Sequence, residues 1–394
     1  VMDGAYNPNH PGALAHLDPP PLAASIAAEL VCAGLNNNLL AEELSPSLTR
    51  LERSLCTWLA EAIGLPPGSG GVPASGGSLS NLMALVTARV SRGLQQRGDL
   101  VLLASADAHV SLRKALMVMG LPPQALVAVP VDGEGRLQLP QLEAQLQDLR
   151  RQGRPVLAVV ATAGTTVCGA VDPLLEISRL CRSHGVWLHV DGAIGGVYAL
   201  DTHHADRVQG LGLADSVTVN PQKLLGITKT SSLLLLAEPG QLQAAFGTGL
   251  PYMEASWGGG HGGECGIQGT RPAEVLKLWL GLRQLGHEGI KAILDGAVAR
   301  QQALAGRLEA VPGLQLRRGE LHLLAMTPHG LSPEQADVWS LRTRQQLLEA
   351  QLMLSRPLYQ GRHHLKAVLG NPHTGEAQLQ QLAAIVAGSV EAPP

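Results

Sequence analysis

The chain has 394 residues, of which 45% are hydrophobic and 15% charged, with a formal net charge of −3. That is long enough for a large core and more than one lobe, and too apolar for disorder. The weak negative charge excludes a basic nucleic-acid or membrane-surface footprint, and 3% aromatics leave no base-stacking platform.

Residues 1–21 are rich in Pro, Asn and His and predict an irregular lead-in, closed by Pro19, Pro20 and Pro21. Apolar residues at helical spacing predict a helix over 22–35, and Asn36, Asn37 and Asn38 a turn. Residues 46–65 place Leu48, Leu51, Leu55, Trp58, Leu59 and Ala62 on one helical face. A Gly/Ser-rich turn at 70–80 leads to a helix over 81–97. Strands are then expected at 100–104, 126–131 and 156–162, alternating with helices at 112–119, 139–152 and 174–184. The apolar runs 186–190 and 216–219 read as buried strands, and 232–236 as another. A glycine-dense loop spans 247–269, and helices follow at 272–285 and 289–308. Beyond 311 come strands at 314–317 and 322–326, a helix at 333–350, a strand at 365–369 and a helix at 375–390.

Such alternation predicts an α/β fold with a mostly parallel sheet covered by helices, followed by a smaller C-terminal α+β lobe. The divisions fall at 1–45 for an N-terminal segment, 46–295 for the large domain and 296–394 for the small one. No apolar run approaches the roughly 18 residues of a membrane span, and no basic-then-apolar leader opens the chain. Five cysteines lie scattered without a CxxC pair, which predicts a reduced, cytoplasmic setting. No HxxxH or cysteine cluster suggests a metal site, and no GxGxxG dinucleotide turn lies in a strand-to-helix context.

The strands at 186–190 and 216–219 lead into Asp191 and Lys223. Ligands of open α/β sheets bind outside the carboxyl ends of the strands, so an acid and a lysine should face one crevice. A lysine can form a Schiff base with an aldehyde, and pyridoxal phosphate pairs such a lysine with an acid beside its ring nitrogen. On these two residues alone, a plain ion pair fits equally well. Ser75, Gly76, Gly77 and Ser78 precede a helix, where they could cradle a phosphate or simply cap the helix. His109 and Thr166, both after strands, fit either a ligand contact or an ordinary loop.

Taken together, these stretches resemble the group II pyridoxal-phosphate-dependent amino-acid decarboxylases. That family includes the glutamate, aromatic-amino-acid, cysteine-sulfinate and 2,4-diaminobutyrate decarboxylases. The resemblance rests on HVDGAIGG with Asp191, ADSVTVNPQK with Lys223, ATAGTTVCGAVDP with Thr166, ASGGSLSNLMAL with Ser78 and SADAHVSLRKA with His109. It extends in order over residues 9–374. It implies a fold type I large domain with a seven-stranded-type sheet, pyridoxal 5′-phosphate as cofactor, and α-decarboxylation of an amino acid to CO2 and an amine. It further implies that Lys223 holds the cofactor, Asp191 keeps its ring protonated and His109 stacks on it. Gly77 and Ser78 would contact the phosphate, with Ser216 and Asn220 opposite, while Thr166 and Ala193 touch the ring. A homodimer with the site at the subunit interface is also implied.

The sequence departs from the family in places. The loop tyrosine that the family usually offers from the neighbouring subunit is missing between 254 and 269, and His261 is expected to replace it in returning a proton to Cα. Lys366 stands where an arginine often holds the substrate α-carboxylate, with Arg362 as an alternative. Gln222 replaces a common histidine. His16 is expected to face the substrate side chain, and Asp18 to pair with a basic one. The expected substrate is therefore polar: 2,4-diaminobutyrate, glutamate or similar. An aminotransferase, a carbon–sulfur lyase and a non-catalytic homologue are the competing readings.

Overall fold

In a computed structural model, which describes residues 4–249 and 260–391, seven strands form the central sheet. They are β1 (Gly70–Ala74), β2 (Val101–Ser105), β3 (Leu126–Val129), β4 (Val156–Thr162), β5 (Leu188–Gly192), β6 (Ser216–Val219) and β7 (Ser232–Leu236). Their order is β1-β7-β6-β5-β4-β2-β3. Strands β2 to β6 run parallel, and β7 is antiparallel to both β6 and β1. Every residue of β4 is buried, which is why VLAVVAT reads as a continuous run instead of an alternation.

Successive β4 side chains enter opposite cores, as the pleat requires. Val159 and Ala161 join a cluster with Leu55, Leu142 and Ile177 from helices α2 (Pro46–Ala62), α5 (Leu139–Arg151) and α6 (Leu174–His184). Ala158 and Val160 join Leu85 and Leu112 from α3 (Gly77–Ser91) and α4 (Ser111–Val118). Each fully buried Leu or Val contributes about 1.5–3 kcal/mol, so the sheet is held from both sides. Helix α1 (Ala23–Leu35) lies outside, packed on α8 (Val275–Glu309), and α7 (Gly240–Phe246) packs on α3.

A third core builds the smaller lobe. Its antiparallel sheet has the order β12 (Leu365–Val368), β9 (Leu323–Pro328), β8 (Leu314–Arg317). Helices α9 (Pro333–Glu349) and α10 (Glu376–Glu391) cover it, and a short hairpin pairs β10 (Leu358–Tyr359) with β11 (Arg362–His363). Ser332 opens α9 with a capping box to Gln335. The lead-in is tied down at both lobes. Leu14 N–H donates to Met353 O at 3.1 Å, Val368 N–H donates to Leu14 O at 2.8 Å, and Leu22 N–H donates to Gly226 O at 2.8 Å.

Two elements differ from the sequence expectation. Strand β1 lies where GGVPA reads as a turn. A Cβ on Gly71 would sit 2.0 Å from Leu234 O, so only glycine permits this pairing, and Pro73 is tolerated because the strand is an edge. Helix α3 begins at Gly77, four residues before the expected start, so the Gly/Ser stretch is its first turn. The two helices expected at 272–285 and 289–308 meet in α8, where the non-helical Gly286 (φ 58°, ψ −173°) breaks the rod between them as expected. Part of the expected glycine-rich loop, residues 250–259, lies outside the described residues. Among the described residues, no helix is long and apolar enough to cross a membrane.

Candidate active site

Strands β5 and β6 lie side by side, with Asp191 in register with Thr162 on one side and Thr218 on the other. After β6, Asn220 leads into a tight turn, Pro221–Lys223, in which Lys223 N–H donates to Asn220 O at 3.0 Å. Proline at the first position presets that turn. It brings Lys223 to the crevice at the carboxyl ends of the strands. A cavity of about 190 Å³ lies there. Gly77, Ser78, His109, Thr166, Asp191, Ala193, Asn220 and Lys223, from five separate stretches, all line it.

Asp191 is buried, and both its oxygens have a donor: Oδ2 accepts from Asn81 Nδ2 at 2.8 Å and Oδ1 from Ala193 N–H at 3.2 Å. Burial pushes the Lys223 amine below the ordinary lysine value, against the pull of Asp191 and Asp18. A larger neutral fraction makes that amine a better nucleophile. Partial burial at the cavity mouth likewise lowers His109, opposed by Asp191 and assisted by Lys223. Its Nδ1 accepts from Ser111 N–H at 3.2 Å, which leaves the proton on Nε2 and the ring neutral.

The part of the cavity lined by Gly77, Ser78 and Asn220 suits an anion. Gly77 and Ser78 form the first turn of α3, where backbone N–H groups have no intrahelical acceptor. A Cβ on Gly77 would come within 2.8 Å of Asn220 Nδ2, so glycine is needed for that approach. A phosphorylated pyridine aldehyde fits this set: an anion cradle, a flat neutral imidazole, a buried carboxylate and a depressed amine.

Lys366 sits just behind the wall, on β12. It is buried, and its Nζ donates to Thr166 O at 3.3 Å. Burial, with help from Lys223, brings it down to about 8. Among the described residues, no carboxylate forms an ion pair with it.

Other residues do not line the cavity. Ser216 starts β6, about 13 Å before Asn220 along the strand, so it cannot share a phosphate with it. Its hydroxyl instead bonds Trp187 Nε1 at 2.9 Å and His189 Nδ1 at 2.8 Å. His16 is exposed and lies edge-on to Tyr6, and Asp18 is already paired with Lys229 at 2.5 Å. His261 is buried away from the cavity wall, where its Nδ1 accepts from Glu42 N–H at 3.3 Å. Arg271 forms a buried two-pronged pair with Glu52 at 2.9 and 2.8 Å.

Six cavity residues escaped the sequence reading: Thr162, Gly164, Thr165 and Ile194, and with them Asn81 and Asp107. Asn81 lies one helical turn beyond Gly77, so the motif that carried Ser78 also carried it. Asp107 precedes His109 by two residues, and its Oδ2 accepts from Tyr359 Oη at 2.7 Å. Tyr359 belongs to the small lobe, 252 residues away, and nothing in the local sequence signals it.

The chain matches the pyridoxal-dependent decarboxylase conserved domain over residues 4–321. It belongs to that family. The family membership carries the cofactor, pyridoxal 5′-phosphate, and the reaction class, decarboxylation of an amino acid. Over 391 residues the chain is 34% identical to the L-2,4-diaminobutyrate decarboxylase of Rhizobium meliloti (strain 1021), covering 95% of this chain and 77% of that one. It is 32% identical to the acidic amino acid decarboxylase GADL1 of Mus musculus over 308 residues, covering 74% of this chain and 55% of that one. The crystal structure of mouse CSAD superposes with a TM-score of 0.89 at 27% identity, over 98% of this chain and 85% of that one.

Proposed function

We propose that the chain decarboxylates an L-amino acid with a short, cationic side chain, of the 2,4-diaminobutyrate kind. The observation that carries this reading is the single cavity holding Lys223, Asp191, His109 and a second carboxylate, Asp107. In this reading Gly77, Ser78 and Asn220 hold the cofactor phosphate, Asp191 faces the ring nitrogen, and His109, Thr166 and Ala193 enclose the ring. When bound, the cofactor accepts the electron pair left behind by the departing carboxylate.

The chain's own residues do the rest. Lys223 anchors the cofactor, and its Nζ later returns a proton to Cα. Lys366, a buried cation without an ion-pair partner among the described residues, draws the α-carboxylate to one side of the cavity. Asp107 keeps one oxygen on Tyr359 and offers the other to a side-chain ammonium. The similarity to L-2,4-diaminobutyrate decarboxylase supports the same choice.

A homodimer with the cavity mouth at the subunit interface also belongs to this proposal. Helix α1 exposes Ile26, Leu30, Val31 and Leu35, and His109 and Ser78 stand exposed at the mouth of the single chain. The divisions at 1–45, 46–295 and 296–394 are supported by α8. Its Leu294 and Val298 belong to the large core, and its Leu304 and Leu308 to the small one. Five free cysteines support a cytoplasmic setting.

The test is CO2 release from a panel of amino acids with added pyridoxal phosphate, alongside borohydride reduction and peptide mapping. The expected result is release from 2,4-diaminobutyrate ahead of glutamate and aromatic substrates, with the label on Lys223. Keto-acid formation without CO2, or a label elsewhere, would overturn the proposal.

A further inference from the structure

Asn81 is 1% exposed and bonded at every polar position it has. Its Nδ2 donates to Asp191 Oδ2 at 2.8 Å and to Ser111 Oγ at 2.9 Å. Its Oδ1 accepts from Thr218 Oγ1 at 2.7 Å and meets His189 Nε2 at 3.1 Å. A primary amide has two donor hydrogens and two acceptor lone pairs, and all four are used. Turning the amide over would set its oxygen against the Asp191 carboxylate, acceptor against acceptor. The orientation is therefore fixed.

The proton positions behind it follow in sequence. His189 is fully buried, and burial pushes it down to about 4, so its ring is neutral near pH 7. Asn81 Oδ1 can only accept, so the single ring proton must sit on His189 Nε2. Nδ1 is then an acceptor, and it takes the Ser216 hydroxyl proton. Ser216 in turn accepts from Trp187 Nε1. The bonds from Trp187 to Ser216, His189, Asn81 and Asp191 all run in one direction. Ser216, displaced from its expected phosphate contact, has its place in this chain.

We propose that Asn81 is the positioning residue for Asp191: a one-way hydrogen-bond chain anchored in the sheet sets the amide, and the amide sets the carboxylate toward the cofactor ring nitrogen. This rests on the reading of Asp191 as the partner of that nitrogen. A residue that merely tied α3 to the sheet would support the whole cavity without regard to the ring atom.

The two roles separate in a binding experiment on the full chain freed of cofactor. Dissociation constants are measured for pyridoxal phosphate and for its analogue with carbon in place of the ring nitrogen. A hydrogen bond to a charged group is worth roughly a ten- to hundredfold factor, so Asn81→Ala should weaken pyridoxal phosphate by about tenfold or more. The carbon analogue should bind the variant nearly as it binds the wild type. Asp191→Asn serves as the control and should show the same selective loss. If Asp191→Asn weakens both ligands equally, the reading of Asp191 fails and the inference falls with it. If Asp191→Asn is selective and Asn81→Ala is not, the inference alone fails. A second measurement needs no variant: the 15N resonances of His189 in the cofactor-free protein at pH 7. A proton on Nε2 and a bare Nδ1 are expected, and a proton on Nδ1 or a doubly protonated ring would overturn the chain.

Discussion

Replacing Lys366 by methionine should make the cofactor-free protein more stable and the enzyme worse. Lys366 is buried on β12 with one hydrogen bond, to Thr166 O, and no ion-pair partner among the described residues. Moving a lysine from 10.5 to about 8 corresponds to about 3 kcal/mol disfavouring the folded state near pH 7. Methionine fills similar space without the charge, and the orphaned Thr166 carbonyl takes back about 1 kcal/mol. The expected net gain is about 1–2 kcal/mol. Folding lowers this pKa, so the penalty is fully present below about 8 and fades toward 10.5, where the lysine is neutral folded or unfolded. Urea unfolding of both proteins at matched concentration, from pH 6.5 to 10, reads this directly. The two curves should converge at the alkaline end. In the holoenzyme, Lys366→Met should raise KM at least tenfold, the scale of a lost charge-assisted hydrogen bond. A variant less stable than wild type at pH 7, or a difference that ignores pH, would refute the reasoning.

Wild-type KM should rise as pH climbs through about 8, because a neutral Lys366 no longer attracts a carboxylate; a pH profile of KM checks this. Tyr359→Phe removes the donor to Asp107 that links the β10 hairpin to the cavity. It should cost about 1–2 kcal/mol and shift the preference among cationic side chains, read by denaturation and by substrate competition. Glu52→Gln leaves the Arg271 guanidinium buried without its counter-charge and should cost about 3–5 kcal/mol, visible as a fallen unfolding midpoint. His261→Asn should retain kcat within about tenfold, whereas loss of a true general acid costs roughly a hundredfold or more. A fall of that larger size in kcat would return His261 to the chemistry.

The parallel strands were legible because burial on both faces writes itself into composition. The bounds of β4, β6 and β7 follow from their apolar runs alone. Strand β1 was not legible, since its residues are chosen for what they must avoid. Gly71 clears the Leu234 carbonyl, and Pro73 exploits an edge where one N–H is not needed. Both residues signal a turn when read locally. Helix α7 and the β10 hairpin are too short to show a period at all.

The site divides along the same line. Asp191, Lys223, Gly77 and Ser78 sit where a strand or helix ends, and an end is a local feature that spacing reveals. Ser216 failed because it begins a strand: the side of the sheet it faces follows from composition, but the end it occupies decides whether it meets the cavity. His16, Asp18 and His261 lie off the cavity wall for another reason. Each is a polar residue whose nearest partner, Tyr6, Lys229 or the Glu42 backbone, is fixed by loop paths that periodicity does not describe. Asn81 and Asp107 were present in the quoted stretches, yet their weight comes from what they bond across 110 and 252 residues. A sequence motif marks which segments meet at a cavity. Which atoms within them carry the load depends on donors and acceptors supplied by other segments, and only the assembled hydrogen-bond inventory assigns those.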